Sequence, residues 1–183
     1  MKEVRIHARA GQGAITTAML LASAAFEEGK EALAFPTFGA ERMGAPMNAF
    51  VRLAREPIRD RSQVKEPDYV LVLDPTLLRG FDVFAGLKEG GLGVVNSPVS
   101  LEELGVKTKA NVITVPAGKI AEEVLGRADR VSTALLGAFS AATGEVSLQA
   151  LIRVVQAHFP GAVGQKNARA LGMAYNFAKG QGK

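Results

Sequence analysis

The sequence predicts an α/β protein, a three-layer sandwich with a mixed or mainly parallel sheet and a helical C-terminal third. Three observations carry that expectation. Residues 4–28 run from an apolar strand through Gly11-Gln12-Gly13 into an Ala-rich segment, the order strand, glycine turn, helix. Short runs of β-branched residues and Leu recur at 69–73, 92–95 and 111–115, each stopped by a polar or proline position, as in strands buried on both faces of a parallel sheet. Beyond residue 119 the strands give way to four helical stretches.

Taken in order, residues 4–8 form the opening strand and 14–28 the first helix, closed by Gly29, whose left-handed geometry costs least at a helix end. Residues 32–35 make a second strand. Residues 36–46 carry three glycines, two prolines and the pair Glu41-Arg42, the composition of an ordered loop. From 47 to 53 Met47, Ala49, Val51 and Leu53 alternate with Asn48, Phe50 and Arg52, which gives a strand with Asn48 and Arg52 on one face. Asp74-Pro75 ends the 69–73 strand. Helices are expected at 119–125, 132–142, 148–157 and 166–179, with Ser147 as an N-cap.

At 183 residues and 48% hydrophobic, with no internal repeat or dividing linker, one domain spanning 1–183 is expected. No apolar run approaches the roughly 20 residues needed to cross a bilayer, and no leader pattern opens the chain, so a soluble, cytoplasmic protein with no membrane partner is expected. There is no cysteine, which excludes disulfides, thiolate metal sites and Cys-ligated iron–sulfur clusters, and only two histidines remain for imidazole chemistry. The net charge of +4 suits a phosphorylated small molecule or an acidic partner, whereas aromatics at 6% argue against nucleic acid.

The turn at Gly11, Gln12 and Gly13 precedes a helix N-terminus, where unpaired N–H groups and the helix dipole can hold a phosphate or carboxylate. Thr16 stands where a dinucleotide fingerprint wants a third glycine, and no acid ends the second strand, so NAD binding is not expected. A tight turn packing helix on strand, with no ligand, accounts for the same residues equally well. Of the cations between 41 and 66, most read as a solvated, internally paired surface. Arg42 is the exception, because it sits in the Gly/Pro loop where a planar fork can be aimed at an anion. His7 reads as a packed, hydrogen-bonded histidine and His158 as an exposed one. Asp74 reads as a turn residue.

Four stretches, in this order, resemble the γ subunit of pyruvate and related 2-oxoacid:ferredoxin oxidoreductases: Ala-Arg-Ala-Gly-Gln-Gly at 8–13, Ala-Phe-Pro-Thr-Phe-Gly-Ala-Glu-Arg-Met-Gly-Ala-Pro at 34–46, Pro-Asp-Tyr-Val-Leu-Val-Leu-Asp-Pro at 67–75, and Leu-Leu-Gly-Ala-Phe at 135–139. The similarity runs from residue 3 to residue 180. The family's opening turn usually reads Gly-x-Gly-Gly-Gln-Gly, and this chain has Ala8 and Ala10 at the first and third positions. Ser132 stands where relatives often carry Asn. The resemblance implies a complex that converts a 2-oxoacid, with pyruvate the expected one, plus coenzyme A and oxidised ferredoxin to acyl-CoA, CO2 and reduced ferredoxin. It implies α-, β- and δ-type companion subunits that carry thiamine diphosphate and the iron–sulfur clusters, and no cofactor bound by this chain alone. Coenzyme A is the possible co-substrate at Gly11, Gln12, Gly13 and Arg42, and the isolated chain is expected to self-associate. Three other assignments stay open: a stand-alone flavodoxin-like nucleotide or flavin module, a purely structural interaction module with no affinity for coenzyme A, and an indolepyruvate or 2-oxoglutarate paralogue.

Overall fold

The computed structural model describes residues 1–37 and 42–181; Glu41, expected to neighbour Arg42 in the loop, lies outside the described residues. Six strands, β1 (Lys2–Arg9), β2 (Glu31–Pro36), β3 (Pro46–Ala54), β4 (Tyr69–Val72), β5 (Leu92–Asn96) and β6 (Asn111–Val115), form one sheet in the order β2-β3-β1-β4-β5-β6. β1, β4, β5 and β6 run parallel, whereas β3 is antiparallel to both β1 and β2. The sheet is therefore mixed.

Five helices follow the expected pattern: α1 (Ala14–Glu27), α2 (Ala117–Leu125), α3 (Ser132–Thr143), α4 (Leu148–His158) and α5 (Ala162–Gln181). Gly29 takes φ 77° just past α1. The Ser147 hydroxyl accepts from the Ala150 N–H at 3.2 Å, a cap of the kind worth about 1 kcal/mol. Two helices start earlier than expected. Gly118 and Gly164 read as loop residues, yet the Gly118 N–H donates to Asn96 Oδ1 at 3.0 Å, and at Gly164 a Cβ would lie 2.0 Å from the Phe159 carbonyl oxygen. Each glycine marks a close backbone approach inside a first turn.

Period-two alternation divides the sheet into two faces. Val4, Ile6 and Ala8 of β1, Ala49, Val51 and Leu53 of β3, and Leu71 and Leu73 at β4 point into the main core with all five helices. The other face is covered more thinly: Val70, Val72 and Val95 meet Leu77, Val83 and Phe84, which belong to a 3-10 turn at Pro75–Arg79 and the bends after it. The third layer is thus a 3-10 turn with irregular chain.

Two arginines anchor that layer. Arg5 is buried and donates to the carbonyls of Lys65, Val83 and Ala85 and to His7 Nε2. Arg52, 1% exposed, donates to Glu3 at 2.9 Å and pairs with Asp60 at 3.2 Å, its guanidinium lying over the Phe35 ring. Asn48 and Arg52 share this face, as the alternation requires. Arg52 is therefore a buried structural pair, where the sequence reads a solvated surface. No helix among the described residues is long and apolar enough to cross a membrane.

Candidate functional site: the carboxyl edge of β1 and β4

From β1 the chain leaves towards β2 and β3, and from β4 it leaves towards β5 and β6. The carboxyl ends of β1 and β4 are therefore a topological switch point, where open α/β sheets bind ligands. The family-like turns at residues 9–13 and 42–45 meet there. Gly11 and Gly13 hold φ of 96° and 88°, and Gly13 stands at the N-cap of α1. The turn at residues 42–45 docks on Ala10 through backbone: Ala10 N–H donates to Ala45 at 2.8 Å and Gly44 N–H donates to Ala10 at 3.0 Å, and the Arg9 guanidinium donates to the Gly44 carbonyl at 3.2 Å. Met43 covers Gly11 so closely that a Cβ there would lie 2.4 Å from its Sδ.

Ala8 and Ala10 cause no strain, because no non-glycine residue among those described has positive φ. Ala8 is a core residue of β1 and Ala10 a hydrogen-bonding hinge for the second turn. Neither position needs glycine in this backbone.

Gln12 has internal partners. Its Oε1 accepts from the Arg9 N–H at 2.8 Å and its Nε2 donates to Asp74 Oδ2 at 2.7 Å. Asp74 also caps the 3-10 turn by accepting from the Thr76 N–H and hydroxyl at 2.9 and 2.6 Å, and Arg9 pairs with it at 3.2 Å. Burial alone would raise the Asp74 pKa, but hydrogen bonds from Thr76 and Gln12 and the charge of Arg9 outweigh it and hold the carboxyl below its usual range. Asp74 is a turn residue, and it also ties the glycine turn to β4.

On the helical side of this edge lies a cleft of about 370 Å³. Gln12 and Gly13 form one wall, Ser132 at the start of α3 another, and Val163, Lys166 and Asn167 in the first turns of α5 a third. Arg127 and Arg130 stand at its rim, and Leu125, Phe159 and Val163 supply apolar surface. Three helix N-termini thus point at one space. None of α1, α3 and α5 has an acid in its first turn, and neither α1 nor α3 has a side-chain cap, so their positive ends are uncompensated. Arg127 and Arg130 share a single carboxylate, Asp129, at 2.9 and 3.9 Å. Asn167 Oδ1 accepts from the Thr133 hydroxyl at 2.9 Å, which fixes α5 against α3 beside the cleft.

Of the four residues singled out from the sequence, Gln12 and Gly13 line this cleft. Gly11 and the exposed Arg42 are not in its lining and lie on the two hydrogen-bonded turns. Arg127, Arg130 and Lys166 carry no local motif. The one signal for them is two arginines around an aspartate immediately before a helix start.

A family model described as pyruvate ferredoxin/flavodoxin oxidoreductase matches residues 3–177. The chain is 49% identical over 182 residues to pyruvate synthase subunit PorC of Methanothermobacter marburgensis, covering all of both chains. It is 50% identical over 179 residues to the pyruvate/ketoisovalerate oxidoreductases common subunit gamma of Thermococcus kodakarensis, covering 96% of each. The crystal structure of pyruvate oxidoreductase subunit PORC from Thermotoga maritima superposes with a TM-score of 0.83 at 40% identity, covering 96% of this chain and 95% of that one. A sheet with this strand order, its paired turns at the β1–β4 edge and full-length identity near one half lead to the same place: the chain belongs to the pyruvate ferredoxin/flavodoxin oxidoreductase family, on the side of its gamma subunits.

Proposed function

We propose that this chain serves a cytoplasmic pyruvate:ferredoxin oxidoreductase as the subunit that grips the phosphates of coenzyme A, while companion subunits of α, β and δ type perform the oxidation. The observation that carries this is the convergence of three helix N-termini without a first-turn acid with Arg127, Arg130 and Lys166 on one cleft that also has an apolar wall. Phosphate oxygens suit the N–H groups and the guanidinium forks, and a ring can rest on Phe159 and Val163. At about 370 Å³ the cleft suits the phosphorylated end of that ligand and not its full length. The rest must pass out over the two turns, where Arg42 is the outer contact.

The overall reaction of such a complex takes one 2-oxoacid, one coenzyme A and two oxidised ferredoxins to acyl-CoA, CO2, one proton and two reduced ferredoxins. This chain has no cysteine for a cluster, and the described residues hold no group of three His, Asp or Glu placed for a metal. In this reading thiamine diphosphate, the clusters and the choice of 2-oxoacid belong to companion subunits.

The test is calorimetric titration of coenzyme A into the purified complex. Lys166→Ala and Arg42→Ala each weaken binding by about tenfold, the value of one charge-assisted hydrogen bond of about 1.5 kcal/mol or more. Arg42→Lys recovers part of the loss, and Arg55→Ala, on an exposed bend, changes nothing. Unaltered affinity in Lys166→Ala with the fold intact removes the cleft from the ligand's path.

A further inference from the structure

Arg9 closes β1 and stands opposite Pro46 in the register with β3, so it sits between the two turns of the β1–β4 edge. Its three guanidinium nitrogens reach three places. Nε lies 3.2 Å from Asp74 Oδ2, Nη2 donates to the Thr76 hydroxyl at 2.9 Å, and Nη1 donates to the Gly44 carbonyl at 3.2 Å. The Arg9 backbone is engaged as well: its N–H donates to Gln12 Oε1 at 2.8 Å and its carbonyl accepts from the Gln12 N–H at 3.0 Å. One residue thereby joins the end of β4, the glycine turn and the turn at 42–45. The last of these carries Arg42, whose carbonyl accepts from the Ala45 N–H at 2.9 Å and closes the turn. Among the described residues, no other side chain donates a hydrogen bond to residues 42–45.

We propose that Arg9 is a positioning residue: its guanidinium holds the 42–45 turn against the end of β4 and so fixes where Arg42 meets the phosphates of coenzyme A. The inference rests on the proposed function above and adds the residue that sets one of its contacts. All three nitrogens of the fork are turned to the protein, so Arg9 acts on the ligand through the turn. The anchor is itself fixed, because Asp74, with a side chain 12% exposed, is also held by Gln12 and Thr76. A planar fork can serve the Asp74 side and the Gly44 side at once, whereas an ammonium on a flexible stem serves one of them. The two backbone bonds of Ala10 keep the turn folded without the fork. What Arg9 supplies is the turn's placement relative to β4, and with it the aim of Arg42.

The experiment titrates coenzyme A calorimetrically into the purified complex carrying Arg9→Ala, Arg42→Ala or both. Arg9→Ala weakens binding by about tenfold, the loss expected of Arg42 itself. The double variant binds within about twofold of either single variant, since a contact already displaced has little left to lose. Lys166→Ala, on another wall of the cleft, still loses its full tenfold in the Arg9→Ala background, as about tenfold for one charge-assisted bond requires. Arg9→Lys keeps the charge and the fold, and it recovers less than about half of the loss. Losses that multiply to about a hundredfold in the double variant overturn the proposal, because Arg9 then acts independently of Arg42. Full recovery in Arg9→Lys also overturns it, by reducing the residue's part to its charge. Wild-type affinity in Arg9→Ala, or in Arg42→Ala alone, overturns it while the cleft stands. Wild-type affinity in both Arg42→Ala and Lys166→Ala removes the coenzyme A site and this role together.

Discussion

His7 shows how a single buried group ties stability to pH. Its ring sits on the thinly covered face of the sheet, accepts a hydrogen bond from Arg5 at 3.1 Å and donates to the Val83 carbonyl. Burial, with the Arg5 charge added, lowers its pKa from 6.5 to about 4, and the bond to Val83 offsets only part of that. Below pH 6.5 the unfolded chain therefore takes up a proton that the native ring refuses. The stability tied to His7 is complete above that pH and is lost as pH falls towards 4, by about 3 kcal/mol in all. Urea unfolding between pH 7 and pH 4 should show this slope, and His7→Gln, which still accepts from Arg5, should reduce it. An unchanged slope would contradict the buried neutral assignment. Residue types announced His7 as a packed histidine, because two histidines on a chain with no triad partner leave little else. They did not announce Arg5 or Arg52 as buried, since an arginine's burial depends on the carbonyls and carboxylates that distant loops bring to it.

Among the elements, α3 and α5 approach closely enough to test by substitution. At Gly137 a Cβ would lie 2.0 Å from the Leu171 carbonyl oxygen, a backbone atom that cannot swing aside. Gly137→Ala must push the two helices apart, at a cost of about 3 kcal/mol or 6–12 °C in melting temperature. Gly172, one residue beyond Leu171 on α5, has nothing within 4 Å of the same position and no positive φ. Gly172→Ala should therefore stabilise by about 0.5–1 kcal/mol, as glycine leaving a helix interior does. Paired thermal melts check the opposite signs, and equal effects would mean that the close contact at Gly137 is absent. All six strands and all five helices were legible from period and punctuation. The early starts of α2 and α5 were not, because Gly118 and Gly164 look like loop residues until the atoms they approach are known. The third layer was expected as part of a sandwich, but its 3-10 turn and bends carry no helical period to read.

At the scale of the whole molecule, the sequence marked the glycine turn as a candidate anion site, and Gln12 and Gly13 line the proposed cleft. Arg127, Arg130 and Lys166 were not, because they come from segments more than a hundred residues beyond the turn and meet it only through packing. Full-length likeness to subunits of pyruvate oxidoreductases describes a chain that works inside an assembly. The most direct measurement is coenzyme A-dependent reduction of a viologen acceptor by pyruvate, with the companion subunits purified apart from this chain. The account predicts no turnover by this chain alone, and coenzyme A-dependent turnover when the wild-type chain joins its companions, with a higher coenzyme A KM when Lys166→Ala takes its place. Full turnover by the companions without the chain, or by the chain without the companions, would contradict it.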